Sequence, residues 1–556
     1  MKLKLKEKLL FLGILLFAGL LRFYGLNWDQ GYHLHPDERF LTMVANAMQF
    51  PNSFTDYLNP ALSTFNPANV GFSFFVYGAF PLILSKIFAV FSANDTYNTF
   101  TLLGRILSSF ADLLVVFLIF KTVLLFEKHY KLPKNIKFLA AFFYSISVLP
   151  IQLSHFFAVD SFLNFFVFAS FYFKVKFYFE TRIHLLIISA FFLGLAIASK
   201  ITAIFVVPLL LLIILPNKFS KKIFSFFNIK RTLLLSLVFI FTCYLTLRIA
   251  DPYLFQTSNF FDLKPNTLFM QNLKSLKDLS DPNVWYPPNL QWLNKMPIIF
   301  ALQNIVFFGV GIPLFLASTI GIFVVLTRFQ KTKLLLIFIW CLLLFLYQST
   351  QITKTMRYFI TLYPFFTIFA GIGFYFISQY VNKILTIFYF IIILIWPLSF
   401  MSIYAKIHSR VEASNWIYQT IPSNSVILTE YWDDALPLQM TRKNKSYTIK
   451  EMPVFDYDTP DKWNKINLYL SQGDYLILSS NRGWGSIMQA PEKYPLMAKF
   501  YNDLLAEKLQ YKMIKTFTSY PSFNYLNILL EFNDDVAEEA FTVYDHPKVM
   551  IFKKVR

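Results

Sequence analysis

Over roughly the first 400 positions, apolar runs of about 18 residues recur, each long enough to cross the ~30 Å hydrocarbon core of a bilayer as one helix. The runs at 299–326 and 384–401 contain no charged residue, whereas those at 233–247 and 334–346 are shorter and need their flanks to complete a crossing. The pattern predicts a polytopic α-helical membrane protein. Its spans are expected at about 9–26, 102–126, 138–153, 158–178, 184–199, 201–216, 233–249, 299–327, 334–349, 357–378 and 384–403, about eleven in all.

One apolar stretch, 71–91, is long enough to span but contains Gly78, Pro81 and Lys86. Short cytoplasmic loops carry an excess of Lys and Arg, and that bias decides its placement. If 71–91 crossed, the next run would end outside and leave Lys128, Lys131, Lys134 and Lys137 on the wrong face. Laid along the surface as a juxtamembrane element, it leaves them inside. Every later cluster then agrees: Lys174, Lys176 and Arg182; Lys218, Lys221, Lys222, Lys230 and Arg231; Arg328, Lys331 and Lys333; Lys383. The opening "MKLKLKEKLLFLGILLFAGLL" has the charged start and apolar run of a signal peptide without a small-x-small cleavage site, so it reads as an uncleaved anchor. With Lys2 to Lys8 inside, the loops 27–97 and 251–297 and everything beyond about 404 lie on the outer face of the plasma membrane.

After that point the pattern changes. Apolar runs shorten to strand length in "SVILTE", "DYLILSS" and "YKMIKTFTSY", with a helical stretch at about 490–509 and a terminal hairpin expected in "FTVYDHPKVMIF". Two domains are therefore expected: a membrane domain, 1–404, and a small extracytoplasmic α/β or α+β domain, 405–556.

Composition sharpens this picture in two places. The net charge of +19 could suit nucleic acid, but the Lys and Arg lie in short clusters between spans rather than on one basic face, which excludes that class. The two cysteines, Cys243 and Cys341, both fall inside expected spans, so neither disulfides nor thiolate metal sites are implied.

Candidate chemistry begins at "GYHLHPDERF", 31–40, directly after the first span. In the plain reading, Pro36 opens a helix over 38–48 and Asp37 and Glu38 complement its dipole. Other charges alter the balance. Asp160 falls in the first turn of the fourth span, where an acid facing hydrocarbon is costly, so it lines a cavity instead. Arg105 opens the second span, Lys200 sits between the fifth and sixth, and Arg357 starts the tenth. Taken singly, each is a snorkelling or ion-paired residue. Together they place acids and cations at one membrane depth on the outer face. A polar cavity of this kind suits a substrate both anionic and hydroxylated: cations hold a phosphate and a carboxylate takes the proton of an attacking hydroxyl. His35 and His155 support the site. No cofactor is firmly implied; His33, His35 and His155 beside the loop acids are of the types that hold a divalent metal, but they form no complete ligand set. Glu430, Asp433 and Asp434 in "TEYWDDALP" read as surface turn chemistry. The aromatic loop segment "DPNVWYPPNLQW" either covers the site or anchors at the interface.

In its motifs the chain resembles the GT-C superfamily of membrane glycosyltransferases that use polyprenyl-phosphate sugars, most closely the protein O-mannosyltransferase and lipid A aminoarabinose transferase branch. "HPDERF" fits that branch's acidic pair in the first outer loop, and "FVYGAFPLILSKIF" its juxtamembrane element. Arg105 matches an arginine opening the second span, and Asp160 an acid opening the fourth. "GLAIASKITAIFVVPLLL" and "MRYFITLYPFF" are similar to its Gly–Lys–Thr and Arg-Tyr…Tyr-Pro segments. At 79–82 the chain has Ala-Phe-Pro-Leu where the mannosyltransferases show His-Pro-Pro-Leu. The resemblance implies inverting transfer of a single sugar from a polyprenyl-phosphate donor to a glycan, lipid or protein acceptor. Within it, Asp37 would be the base, Glu38 a second acid or the partner of Arg105, Arg105, Lys200 and Arg357 the phosphate ligands, and Asp160 an orienting acid. The alternatives are a transporter or flippase of polyprenyl-linked glycans, whose sites lie near the midplane, and a non-catalytic glycan-assembly scaffold.

Overall fold

In the computed structural model, which describes residues 4–214, 226–441, 445–525 and 528–555, helices fill the chain up to about residue 405 and every strand of the two sheets lies beyond it. Five described helices are long and apolar enough to cross a membrane: Tyr97–Tyr130, Val159–Glu180, Lys230–Ala250, Met356–Tyr380 and Lys383–Thr420. Two bent pairs bring the number to seven if each is one span. Helices Ile183–Ser199 and Lys333–Ser349 fall at expected spans but are shorter, and Leu5–Phe23 carries Lys6, Glu7, Lys8 and Arg22. Lys2, Lys218, Lys221 and Lys222, and the end of the expected span 201–216, lie outside the described residues.

The bent pairs correct the expectation of straight spans. The apolar run 299–327 is broken by 116° between Ile299–Gly309 and Ile312–Arg328. Gly311, at φ +84, takes a left-handed conformation that side chains disfavour, and Pro313 then opens the second helix. Uniform apolar composition carries no information about direction, so the sequence reads as one span. A second bend, of 54°, divides Ile136–Ser145 from Val148–Ser154 inside the expected span 138–153. The stretch expected along the membrane surface contains helix Phe80–Phe91, of 12 residues; its Lys86 is buried and paired with Asp95 at 2.7 Å.

Helix Tyr97–Tyr130, 34 residues long, is the spine against which Leu5–Phe23, Ile136–Ser145 and Val159–Glu180 pack. A buried charge pair joins three of these helices. Arg22 Nε donates to Asp112 Oδ2 at 2.6 Å, Arg22 Nη1 donates to the Ser145 carbonyl at 2.9 Å, and Tyr144 Oη donates to Asp112 Oδ1 at 2.5 Å. Neither charge is exposed, so the pair holds only while all its partners are in place.

Seven strands follow: β1 (Val426–Glu430), β2 (Thr448–Met452), β3 (Tyr475–Leu478), β4 (Tyr511–Phe517), β5 (Ser522–Tyr525), β6 (Ile528–Glu531) and β7 (Val549–Lys554). Five form a sheet in the order β2-β1-β3-β7-β4, with β2, β1 and β3 parallel and β7 antiparallel to both its neighbours; β5 and β6 form a separate antiparallel pair. The central β3, "YLIL", is buried throughout, as a strand covered on both faces must be. The expected helix at 490–509 is Pro495–Leu505. The expected terminal hairpin is absent: "FTVYDHPKVMIF" supplies the end of a short helix, Glu539–Thr542, and then β7. Strand β7 pairs with the distant β3 and β4 rather than with its own chain neighbour, because the sheet has an open place between them.

Arg22→Met leaves Asp112 buried without its cation. The expected loss is about 3–5 kcal/mol, read as a lower melting temperature of the detergent-purified protein. The double variant Arg22→Met/Asp112→Leu recovers much of that loss.

Candidate active site

Helix Pro36–Ala47 starts for local reasons. Proline needs no amide partner in a first turn, and His35 Nδ1 accepts from the amides of Asp37 and Glu38 at 3.2 and 3.4 Å. His35 is therefore a cap, buried against the rings of Phe156 and Tyr544; burial pushes its imidazole down to about 4, which keeps it neutral and able to accept.

The cap sends the two neighbouring acids in different directions. Glu38 turns inward to Arg105, which donates from Nε to Oε1 at 2.8 Å and from Nη2 to Oε2 at 2.6 Å. Asp29 takes the other side of the same guanidinium at 3.0 and 2.9 Å, and the Leu26 carbonyl accepts at 2.8 Å. Glu38 also accepts from the Phe157 amide at 2.5 Å, and the Arg105 guanidinium lies 4.6 Å from the Trp28 ring. Burial opposes charge on Asp29, but Arg105 outweighs it and holds the carboxyl down to about 2. Arg105 and Glu38 are buried here away from the cavities described below, their hydrogen-bonding capacity used on each other and on Asp29. His155 is likewise turned to the backbone, with its ring nitrogens at 2.8 and 2.9 Å from the carbonyls of Ile151 and Tyr24 and its ring stacked on Tyr404.

The other four expected residues do converge. Arg357 Nη1 donates to Asp37 Oδ2 at 2.6 Å, and Arg357 Nε stands 3.9 Å from Asp160 Oδ2. Lys200 Nζ donates to Asp160 Oδ1 at 2.8 Å and lies 4.5 Å from the Tyr358 ring centre. Acid and cation thus alternate: Asp37, Arg357, Asp160, Lys200. Asp160 Oδ2 is buried with no hydrogen-bond partner among the described residues. Burial would raise the Asp37 carboxyl, but Arg357 above all, with Lys200, holds it down to about 2.

Each member is set by a helix end. Lys200 follows the last residue of Ile183–Ser199, where the Gly78 amide donates to the Ser199 carbonyl at 3.1 Å. A Cβ at Gly78 would lie 1.9 Å from the Ala198 carbonyl oxygen, so only glycine permits this approach, which brings Tyr77 beside Lys200. Arg357 begins the tight turn Met356–Leu362, whose first groups, the Met356 amide and the Thr355 hydroxyl, donate to Glu538 at 2.9 Å each. Glu538 belongs to the C-terminal segment, and its burial pushes it up to about 7.

Two cavities meet at this cluster. One, of about 920 Å³, has an apolar interhelical wall at Leu163, Val167, Val206, Trp340 and Leu344 and also carries Lys277, Asp278, Asp281, Gln348 and Gln351. The other, of about 660 Å³, opens toward the C-terminal segment and is lined by Asp37, Tyr77, Tyr286, Trp432, Arg482 and Tyr544, among others. Lys200, Arg357 and Tyr358 line both; Asp37 faces only the polar cavity and Asp160 only the interhelical one.

The C-terminal contribution corrects the surface-turn reading of "TEYWDDALP". Arg410, itself buried, donates to Asp433 at 2.6 Å and to Asp434 at 2.8 Å, while Arg39 of the "DERF" stretch donates to Asp434 at 2.8 Å. Glu430 is buried and accepts from Tyr501. Trp432, Asp433 and Asp434 follow β1, and Arg482 follows β3. In an open sheet with parallel strands, ligands gather at the carboxyl ends where strand order reverses, and β1 is that point in the order β2-β1-β3. That topology, once drawn, is the signal that marks these residues; Asp29 carries no signal of its own. The loop segment "DPNVWYPPNLQW" does cover the site: Tyr286, Asn289, Gln291 and Trp292 line the polar cavity, and Trp285 Nε1 donates to the Phe455 carbonyl at 2.7 Å. Among the described residues, no group of three or more His, Cys, Asp or Glu is arranged to hold a metal ion.

Residues 80–247 match the model of the dolichyl-phosphate-mannose-protein mannosyltransferase family. The resemblance to the membrane glycosyltransferases is borne out. The matched segment contains Arg105, Asp160 and Lys200; Asp37, Glu38 and Arg357 lie outside it. No curated protein matches the chain. Among solved structures, it is similar to the Archaeoglobus fulgidus oligosaccharyltransferase, at 13% identity and TM-score 0.49, covering 88% of this chain and 71% of that one. It is also similar to ArnT from Cupriavidus metallidurans bound to undecaprenyl phosphate, at 12% identity and TM-score 0.42, covering 98% of this chain and 97% of that one. The S. cerevisiae protein O-mannosyltransferase complex bound to its sugar donor gives 17% identity and TM-score 0.33, covering 53% and 38%.

Because the Asp37 carboxyl is held below its ordinary range, its pairing with Arg357 stabilises the fold above about pH 4, and that contribution is lost as pH falls toward about 2. Discounted for partial exposure, it amounts to on the order of 1–2 kcal/mol. Melting curves of Asp37→Asn and the parent should differ at neutral pH and converge on acidification.

Proposed function

We propose that the chain transfers a single sugar from a polyprenyl-phosphate donor to an acceptor hydroxyl at the outer face of the plasma membrane. The observation that carries this is the meeting, at Lys200 and Arg357, of two cavities, one with an apolar wall between helices and one lined by Asp37 and the C-terminal segment. An isoprenoid phosphate needs that division: hydrocarbon in one compartment, sugar in the other, and cations at the boundary. The polyprenyl chain occupies the interhelical cavity. Lys200 and Arg357 take the phosphate, as charge-assisted hydrogen bonds to phosphate oxygens require. Arg105 and Glu38, spent on each other and on Asp29, brace the start of the Asp37 helix. His35 and His155 support the site through the backbone, and Asp160 holds both cations in register.

The transfer inverts the anomeric carbon. The acceptor oxygen attacks it opposite the phosphate, the bond to the phosphate oxygen breaks, and the leaving phosphate keeps the electron pair beside Lys200 and Arg357. The acceptor's proton passes to Asp37. Paired with Arg357 alone, Asp37 is a weak base; once Arg357 is shared with the phosphate, the carboxylate's affinity for a proton rises. No strong general acid is needed, because the phosphate leaves as an anion.

For the membrane domain, 1–404, we propose eleven crossings, with the bent pairs and the shorter helices completing the set and 71–91 lying along the surface. The domain 405–556 then stands outside the membrane, where Glu538, Arg410 and Trp432 reach the cluster. Lining charges gathered at one face, rather than at mid-depth, favour this reading over a transporter.

In liposomes loaded with a polyprenyl-phosphate hexose and a membrane extract as acceptor source, release of polyprenyl phosphate should fall about 10²–10⁴-fold in Asp37→Asn. It should also fall sharply in Lys200→Gln and Arg357→Gln. Unimpaired release from Asp37→Asn rejects its role as base.

A further inference from the structure

The polar cavity has features that phosphate chemistry does not use. Four tyrosines line it from four separate elements: Tyr77 on the loop before helix Phe80–Phe91, Tyr286 on the loop 251–297, Tyr358 on the Arg357 turn, and Tyr544 in the C-terminal segment. None of their hydroxyls hydrogen-bonds to another described residue, and none is among the buried side-chain atoms left without a partner, so all four remain open to a ligand. Burial pushes the Tyr77 and Tyr286 hydroxyls up and Tyr544 up to about 12, so they keep their protons and both donate and accept at neutral pH.

The charges around them are already matched. Arg39 and Arg410 are paired with Asp433 and Asp434, Arg482 with Glu539 at 2.8 Å, Arg357 with Asp37, and Lys200 with Asp160. Once a donor phosphate adds its charge at Lys200 and Arg357, the remaining lining cations, Arg39, Arg410 and Arg482, are balanced by Asp433, Asp434 and Glu539, so no net positive charge is left to draw an anionic acceptor. An aromatic wall completes the cavity. Trp432 sits at φ +78, a left-handed conformation rare for so bulky a residue, and its carbonyl accepts from Arg482 Nη1 at 3.1 Å. Its ring meets Trp285 at 6.1 Å and Tyr286 at 6.3 Å, edge to face. The backbone strain is held in place by partners on two domains, and it sets a flat ring in the cavity wall.

We propose that the acceptor is a neutral, hydroxyl-rich glycan, read by the hydroxyls of Tyr77, Tyr286, Tyr358 and Tyr544 and stacked on the Trp432–Tyr286 wall. A sugar presents what this wall can pair with: hydroxyls that both donate and accept, on a ring with apolar faces. A serine- or threonine-bearing peptide would offer one hydroxyl to four tyrosines. This assignment rests on the transferase reading, since it names the molecule that receives the sugar.

The test measures binding to the full-length protein in detergent micelles by calorimetry. The probes are a neutral hexose trisaccharide, the same trisaccharide carrying a phosphate, a serine/threonine peptide and, separately, polyprenyl phosphate alone. The neutral trisaccharide should bind in preference to the phosphorylated form and the peptide. Tyr286→Phe and Tyr544→Phe, which remove one oxygen each, should each raise its Kd about 2- to 10-fold while the Kd for polyprenyl phosphate changes less than about twofold. The proposal is overturned if the peptide or the phosphorylated sugar binds more tightly, if no trisaccharide binds, or if both Phe variants bind it as the parent does. Failure of polyprenyl phosphate to bind would instead count against the transferase reading and leave the glycan result standing on its own. Should one Phe variant fail to fold, the other carries the comparison.

Discussion

Opposite charges held together where two cavities meet are the constraint on which this structure turns. Asp37, Arg357, Asp160 and Lys200 come from four different helix ends. Their desolvation is tolerable only because acid and cation alternate. That alternation fixes where helix Pro36–Ala47 begins, where Ile183–Ser199 stops and how the Arg357 turn is seated. It also leaves one acidic oxygen, on Asp160, without a donor among the described residues, so the cluster is not closed on itself. A second buried network, Arg105 with Asp29 and Glu38, lies one residue away along the same helix and closes on itself. The contrast between a closed network and an open one separates bracing from chemistry.

Much of this is legible in the amino-acid order. An acid in an apolar helix is expensive, so Asp160 announces a cavity; a proline after a capping side chain announces the start of helix Pro36–Ala47. Positive clusters at alternate loops order the spans. The sequence is silent where composition is uniform. The turn at Gly311 sits inside an unbroken apolar run, and nothing in that run distinguishes a straight helix from one bent by 116°. It is misleading where partners are remote. Arg105 looks like a phosphate ligand until Asp29 is seen on its other side, and Asp433 and Asp434 look like a solvated turn until Arg410 is found beneath them. Long-range ion pairs leave no periodicity, so no local pattern could have paired them.

The C-terminal segment is more than an appendage to the helices. Strands β1 and β3 aim their carboxyl ends at the cavity, Glu538 receives the first groups of the Arg357 turn, and Arg39 reaches Asp434 from helix Pro36–Ala47. Nearly a third of the residues lining the polar cavity therefore lie beyond 405, while none of those lining the other cavity does.

The most direct test is an experimental map of the protein with a polyprenyl phosphate bound. The account predicts phosphate density between Lys200 Nζ and the Arg357 guanidinium, hydrocarbon along Leu163, Val167 and Trp340, and Asp37 facing the opposite compartment. Phosphate density elsewhere, with the Lys200–Arg357 junction empty, would contradict it.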